Sequence, residues 1–277
     1  MRAVLLLGVV VAVLGALDRP ARPQPPAAVL VAAHRGGALL WPENSLLAFR
    51  NAVGLGVEYL ELDVHLSRDG ELVVIHDPTL DRTTTGHGPV REQTLAALRA
   101  LRLRDGGGAL IAEAVPTLDE VVALAAGSGR RLLLEIKVDD RRQRYPGIEE
   151  KVVALLDRHR MIGTTVVMAF EAATWQRLRE IRPDVRAGAL YSPRMLQGTG
   201  RTAAVEIEAV RRAGVAFVGL HQALVDEPAV AAARAAGLTL GAWTVNDTPA
   251  IERVIALGVD VVISDRPDLA RNARARP

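Results

Sequence analysis

From residue 28 onward the chain repeats one unit, a short run of β-branched and aliphatic residues followed by a longer stretch with helical spacing of its apolar positions. The short runs fall at 29–34, 59–64, 131–137, 165–170, 186–191, 216–220, 239–245 and 259–264. Each has the length of a buried strand rather than of a core helix. Helical spacing follows most of them, at 45–55, 118–126, 148–159, 172–181, 205–213, 228–236 and 249–257. Strands that alternate with helices pair in parallel, because every crossover returns the chain to the same end of the sheet. Eight such units in roughly 250 residues match a closed (β/α)8 TIM barrel, whereas a doubly wound sheet more usually has about five to seven strands. The expectation is an α/β chain with one such barrel over residues 28–277.

One stretch breaks the alternation. After the second run the chain reads Ser67-Arg68-Asp69-Gly70, a turn signal, and then the apolar run 71–76, so a hairpin replaces the crossover. Residues 77–116 have no long periodic pattern and contain Gly86, Gly88 and Gly106 to Gly108, which reads as a small inserted cap after the second strand. Loops at that edge of a barrel shape the substrate pocket.

The first 27 residues belong to a different regime. Met1-Arg2 precedes an apolar stretch from Ala3 to Leu17, which fits a signal peptide and is shorter than the ~20 residues that span a bilayer comfortably. Its small-residue cleavage signal is poor, so an uncleaved anchor, with residues 3–17 as a membrane tether, is the second reading. Residues 18–27 are proline-rich and behave as an extended spacer. The expected location is therefore outside the cytoplasm, as a secreted, periplasmic or outward-facing anchored protein. With 34 basic and 32 acidic residues the net charge is only +2, and no basic run carries interleaved aromatics, so nucleic acid is not an expected partner. The chain has no cysteine, so any metal must be held by oxygen or imidazole.

Barrel sites are built at the carboxyl ends of the strands. The first strand ends in His34-Arg35-Gly36-Gly37. The second contains Glu61-Leu62-Asp63, whose two carboxylates point to one face while Leu60, Leu62 and Val64 point to the other. Two like charges held that close require a cation. The third barrel strand ends in Glu135-Ile136-Lys137, again with both charged residues on one face. Hard oxygen donors suit calcium or magnesium better than zinc. Counting back through a turn at residues 68–70 places His76 about opposite Asp63, next to the cation. Two histidines beside a cation can take a proton from a nucleophile and give one to a leaving alkoxide. Arg35 and Lys137 add positive charge suited to a phosphate, and Glu43 can orient Arg35 or a water.

At these residues the sequence resembles the glycerophosphodiester phosphodiesterase family. The resemblance runs through His34-Arg35-Gly36-Gly37, Pro42-Glu43-Asn44-Ser45, the block from Glu61 to Asp77, Asp81-Arg82-Thr83-Thr84, Pro116-Thr117-Leu118, Glu135-Ile136-Lys137, Trp243-Thr244-Val245-Asn246 and Ser264-Asp265-Arg266-Pro267-Asp268. It covers about residues 30–270. It implies a (β/α)8 barrel, His34 and His76 as the acid and base, and Glu61, Asp63 and Glu135 as ligands of one divalent ion, Ca2+ or Mg2+. It further implies phosphate contacts from Arg35 and Lys137, a pocket wall at Trp243, and a small-molecule phosphodiester substrate. A lysophospholipase D or sphingomyelinase D-like enzyme on the same barrel is the first alternative, with Leu95, Leu98, Leu101 and Leu103 of the insert either lining an apolar pocket or forming a core of their own. A non-enzymatic envelope binding protein is the second.

The remaining candidates have plainer readings. His65 shares the face of Glu61 and Asp63 but reads as a supporting polar group, His87 as an exposed loop residue, His159 as a partner of a helix C-terminus, and His221 as a possible pocket residue. Asn44 or Ser45 is expected to cap the first helix.

Overall fold

The computed structural model describes residues 29–275, and the leader and proline spacer expected over residues 1–27 lie outside the described residues. The strands are β1 (Leu30–Ala33), β2 (Tyr59–Leu66), β3 (Leu72–Val74), β4 (Arg131–Ile136), β5 (Thr165–Ala169), β6 (Arg186–Tyr191), β7 (Phe217–His221), β8 (Thr239–Trp243) and β9 (Val261–Ser264). All but β3 run parallel in the spatial order β1-β9-β8-β7-β6-β5-β4-β2, and β2 pairs again with β1 (Ala32 with Tyr59), which closes the ring. The expected (β/α)8 barrel is the observed fold.

The longest strand explains the insertion. The lower part of β2 pairs with β1, while its upper part, Val64 to Leu66, pairs antiparallel with β3. The register joins Val64 to Val74, and the Ile75 amide donates to the Asp63 carbonyl. Ile75, not His76, therefore lies opposite Asp63. The hairpin closes between Ser67 and Glu71, with Gly70 N–H bonded to the Ser67 carbonyl and Ser67 N–H to that of Glu71, which sets this register.

Period-two alternation sorts the strand residues into two cores. Leu60, Leu62 and Val64 face outward, packed with the helices, whereas Ala32, Tyr59, Leu133, Val166, Met168, Leu190, Phe217, Val261 and Ile263 fill the barrel interior. Glycines on the inner rows of β6, β7 and β8 make that interior possible. A Cβ on Gly241 would lie 2.6 Å from Phe217 Cζ, and one on Gly188 2.9 Å from Met168 Cβ.

The helices after the barrel strands are Leu46–Leu55, Leu118–Ser128, Ile148–Arg158, Ala172–Ile181, Ala203–Arg212, Glu227–Ala236, Thr248–Leu257 and Pro267–Arg274. The first starts at Ser45, whose hydroxyl accepts from the Ala48 amide, and the second at a capping box of Thr117 and Glu120. The last was not expected, because its buried residues are only Pro267, Ala270 and Ala273, too small to give an apolar stripe. Arg274 locks it to the barrel foot through the Val29 carbonyl and the Glu58 carboxylate. The insert contains the short helix Leu95–Ala100 and a separate core of Val73, Ile75, Leu80, Val90, Leu98, Leu103 and Val115, against which Leu95 and Leu101 pack. Among the described residues no helix is long and apolar enough to cross a membrane.

Candidate active site

The inner rows that fill the barrel with aliphatic residues change character at the carboxyl end. His34 follows Ala32, Glu61 and Asp63 follow Tyr59, Glu135 and Lys137 follow Leu133, Phe170 follows Met168, and Asp265 follows Ile263. Of the residues at that end, all but Asp63 and Asp265 border a cavity of about 110 Å³ lined on its polar side by His34, Arg35, Glu61, His76, Glu135 and Lys137 and on the other by Met168, Phe170, Leu190, Trp243 and Ile263. Phe170 meets the Trp243 ring edge-on at 5.6 Å, and His221 backs the same indole at 5.3 Å.

The turn after β1 builds one side of this cavity. Arg35, Gly36 and Gly37 all have positive φ, and a Cβ on Gly36 would stand 2.7 Å from Ala48 Cβ, so the chain reverses tightly onto the first helix. That reversal aims the Arg35 amide at Glu61 Oε2, 2.7 Å away. Asn44, also with positive φ, donates to Asp63 Oδ2 at 2.9 Å instead of capping the helix, a task that Ser45 performs.

Glu61, Asp63 and Glu135 are buried, and each offers a carboxylate oxygen within 4.8 Å of the other two. Oxygens that share a calcium-sized ion at about 2.4 Å each can be no farther apart than that sum. Asp63 Oδ1 is buried without a hydrogen-bond partner, although Lys137 Nζ stands 3.3 Å away and donates to Glu135 Oε1 at 2.7 Å. An orphaned buried carboxylate oxygen among hard donors fits a divalent cation such as calcium or magnesium. The electrostatics agree. Burial, with the Asp63 charge adding to it against the attraction of His34, pushes the Glu61 carboxyl above its ordinary range. Asp63 is held well below its range, because Lys137, His76 and Arg35 outweigh burial.

His34 and His76 are wired alike. His34 Nδ1 lies 2.6 Å from Asp265 Oδ1, and Asn246 holds the other Asp265 oxygen at 2.7 Å. His76 Nδ1 lies 2.7 Å from Asp77 Oδ1. A carboxylate only accepts, so each ring donates from Nδ1 and keeps Nε2 for the cavity. His34 Nε2 is 3.9 Å from Glu61. Burial alone would lower the His34 pKa, but Glu61 and Asp265 outweigh it and raise it. Arg82 grips Asp77 with bonds of 2.7 and 2.9 Å and Glu43 with bonds of 2.7 and 2.8 Å, and Glu43 accepts from Arg35 at 3.2 Å. His65 is not free to bind a cation. Its Nε2 bonds the His76 carbonyl at 3.1 Å and its Nδ1 the Tyr145 hydroxyl at 2.9 Å, while burial pushes its pKa down to about 4.

The other histidines lie elsewhere. His87 is exposed and paired with Asp81, and His159, at its helix C-terminus, bonds Asp119. Asp265, Asn246, Asp77, Arg82 and Asn44 stand in the motif segments, but the sequence alone gives them no place at the site. Asp265 was within reach of the period-two reading, two residues beyond inward-facing Ile263. The reach of Arg82 depends on the fold of the insert, which has no periodic signal.

The model of the glycerophosphoryl diester phosphodiesterase family matches residues 34–269. A glycerophosphodiester phosphodiesterase of Caldanaerobacter subterraneus subsp. tengcongensis is 33% identical over 244 residues, which cover 88% of this chain and 96% of the relative. One from Bacillus subtilis (strain 168) is 30% identical over 264 residues, covering 88% and 86%. Among solved structures, a phosphodiesterase of Oleispira antarctica in complex with the product sn-glycerol-3-phosphate superposes with a TM-score of 0.75 at 28% identity, covering 88% of this chain and 96% of that one. A glycerophosphodiester phosphodiesterase of Agrobacterium tumefaciens gives 0.72 at 28% identity, covering 88% and 99%.

Proposed function

The chain belongs to the glycerophosphoryl diester phosphodiesterase family and is a glycerophosphodiester phosphodiesterase, and from that premise we propose how its site works. The reaction is hydrolysis of a glycerophosphodiester such as glycerophosphocholine to glycerol 3-phosphate and an alcohol, with His34 and His76 as the acid–base pair. The carrying observation is that two carboxylate-held imidazoles line one small cavity together with Glu61 and Glu135, on which Asp63 converges. Glu61, Asp63 and Glu135 would hold a divalent cation, which supplies neutralisation of phosphoryl charge. Arg35 and Lys137 bind the phosphodiester oxygens, and the apolar wall of Phe170, Leu190 and Trp243 takes the carbon side of the substrate.

One histidine removes the proton of the attacking oxygen, from water or from a neighbouring glycerol hydroxyl, as its bond to phosphorus forms. The other protonates the departing alkoxide as the old P–O bond breaks. If the glycerol hydroxyl attacks first, water then opens the cyclic ester with the two roles reversed. Asp265 and Asp77 keep the rings oriented and stabilise the charge each acquires.

The packing of the insert favours soluble over lipid substrates. Leu95, Leu98, Leu101 and Leu103 are consumed by its own core, and the cavity lining contains no residue from 77–116. A cavity of about 110 Å³ suits a head group rather than an acyl chain. The test is alcohol release from glycerophosphocholine and from lysophosphatidylcholine, with chelator and with calcium or magnesium restored. Metal-dependent turnover of the first and little of the second is expected. His34→Ala and His76→Ala should each lower turnover at least ~10²-fold. The acid variant should recover on bis(p-nitrophenyl) phosphate, whose leaving group needs little protonation. Small, equal losses on both substrates would end the acid–base assignment, and binding without turnover under any metal would favour a non-enzymatic role. The proposed location is outside the cytoplasm, through residues 1–17, and cell fractionation checks it.

A further inference from the structure

The opposite end of the barrel holds a second set of cations. The inner rows begin at the floor with Leu30, Tyr59, Arg131, Arg186 and Thr239, by the same alternation that places Ala32, Leu133, Gly188 and Gly241 inside. These five residues, with Asp260 from the loop before β9, line a cavity of about 290 Å³, roomier than the one at the mouth.

Barrel interiors are filled mainly by branched aliphatic residues, so two guanidinium groups at the floor require a reason. Among the described residues neither has an ion-pair partner. Arg131 lies with Cζ 4.3 Å from the centroid of the Tyr59 ring, a cation–π contact that leaves its N–H groups uncommitted. Arg186 makes one long bond, 3.4 Å, to the Thr239 hydroxyl. Asp260, the one carboxylate at the cavity among the described residues, already accepts from the Leu240 amide at 2.8 Å. Two cations against one carboxylate leave the floor net positive. Both arginines are half-buried, and each offers a planar fork of donors matched to tetrahedral oxyanions.

We infer that the floor cavity is a second anion site, at which Arg131 and Arg186 together bind a phosphate-class dianion, either inorganic phosphate or a small phosphomonoester. Arg131 is steadied by the Tyr59 ring, Arg186 by Thr239, and the ligand bridges them. The site lies at the far end of the barrel from His34 and His76, so occupancy acts on stability rather than on the chemistry of the mouth.

The experiment is calorimetric titration of the full chain with inorganic phosphate and, separately, with glycerol 3-phosphate, alongside Arg186→Met, Arg131→Met and the mouth variant Arg35→Met. Floor binding should survive Arg35→Met and weaken at least about tenfold in either floor variant, the scale of one lost charge-assisted hydrogen bond. Binding of both ligands would identify the phosphoryl group as the part recognised, and binding of one alone would name the source. Turnover of glycerophosphocholine should be unchanged in the floor variants. If the methionine variants do not fold, Arg131→Lys with Arg186→Lys keeps the charge and removes the forks, and the same weakening is expected. Phosphate binding that is unaffected by every floor substitution, or that disappears entirely with Arg35→Met, would overturn the inference.

Discussion

Arg82 does not line the active-site cavity, yet it should control turnover. Arg82→Met removes four hydrogen bonds of 2.7 to 2.9 Å, two to Asp77 and two to Glu43. The Arg82 side chain is 48% exposed, so each bond is worth less than the ~1.5–3 kcal/mol of a buried charged bond, and roughly 0.5–1 kcal/mol each is left after screening. The four sum to about 2–4 kcal/mol. If about half of that is felt as lost alignment of His76 and Arg35 in the transition state, kcat falls by about 5- to 30-fold. The remainder lowers Tm by a few degrees, at about 2–4 °C per kcal/mol for a domain of this size. Initial rates on glycerophosphocholine and a thermal melt of the same preparation measure the two parts separately. Arg82→Lys keeps the charge and only one prong, and should recover kcat in part. A variant with lowered Tm and unchanged kcat would refute the reasoning, because the clamp would then be structural only.

Three further outcomes follow from other parts of the molecule. Asp63→Asn replaces the acid carrying the orphaned Oδ1 and should weaken calcium or magnesium binding, read by titration of the metal alone; unchanged affinity would remove Asp63 from the cation site. Gly241→Ala pushes a methyl to 2.6 Å from the rigid Phe217 ring and should cost about 1–3 kcal/mol, and a melt indistinguishable from the parent would show that the interior is looser than drawn. Glu58 is held below its ordinary pKa, since the Val31 amide and Arg274 outweigh burial, so its contribution is full above about pH 4.3 and fades as pH falls through the depressed folded value. Glu58→Gln should therefore be less stable than the parent at pH 7 by about 1–2 kcal/mol, with the gap narrowing as pH falls below about 4.3, and a gap that does not narrow in acid would contradict this.

The barrel was legible because its information is periodic. Strand residues such as Leu132 to Ile136 and the stripes of the helices repeat at two and at about 3.6, and closure follows from their number. What escaped had no period. The final helix at Pro267–Arg274 buries two alanines and a proline, and its placement comes from Arg274 gripping Glu58 across the length of the chain. His34, Arg35, Glu61, Asp63, His76, Glu135 and Lys137 stood out because charge at the end of an apolar strand is costly without a task. Their carboxylate and guanidinium partners stood in loops, where polar residues are ordinary, so only three-dimensional proximity distinguishes Asp77 or Arg82 from Asp81.

Strand β3 and the residue that follows it belong to two cores at once, since Leu72 and Val74 pack with the barrel whereas Val73 and Ile75 pack with the insert. His76 is the next residue, and Asp77 and Arg82 follow on the insert side. With far fewer apolar side chains, the insert core should open at lower free-energy cost than the barrel core. Each such opening releases the His76 assembly while the barrel stays closed. Activity should therefore be lost below the melting transition of the scaffold, and the Val74 amide, bonded to the Pro116 carbonyl at the end of the insert, should exchange before those of Leu133 and Leu134 in β4.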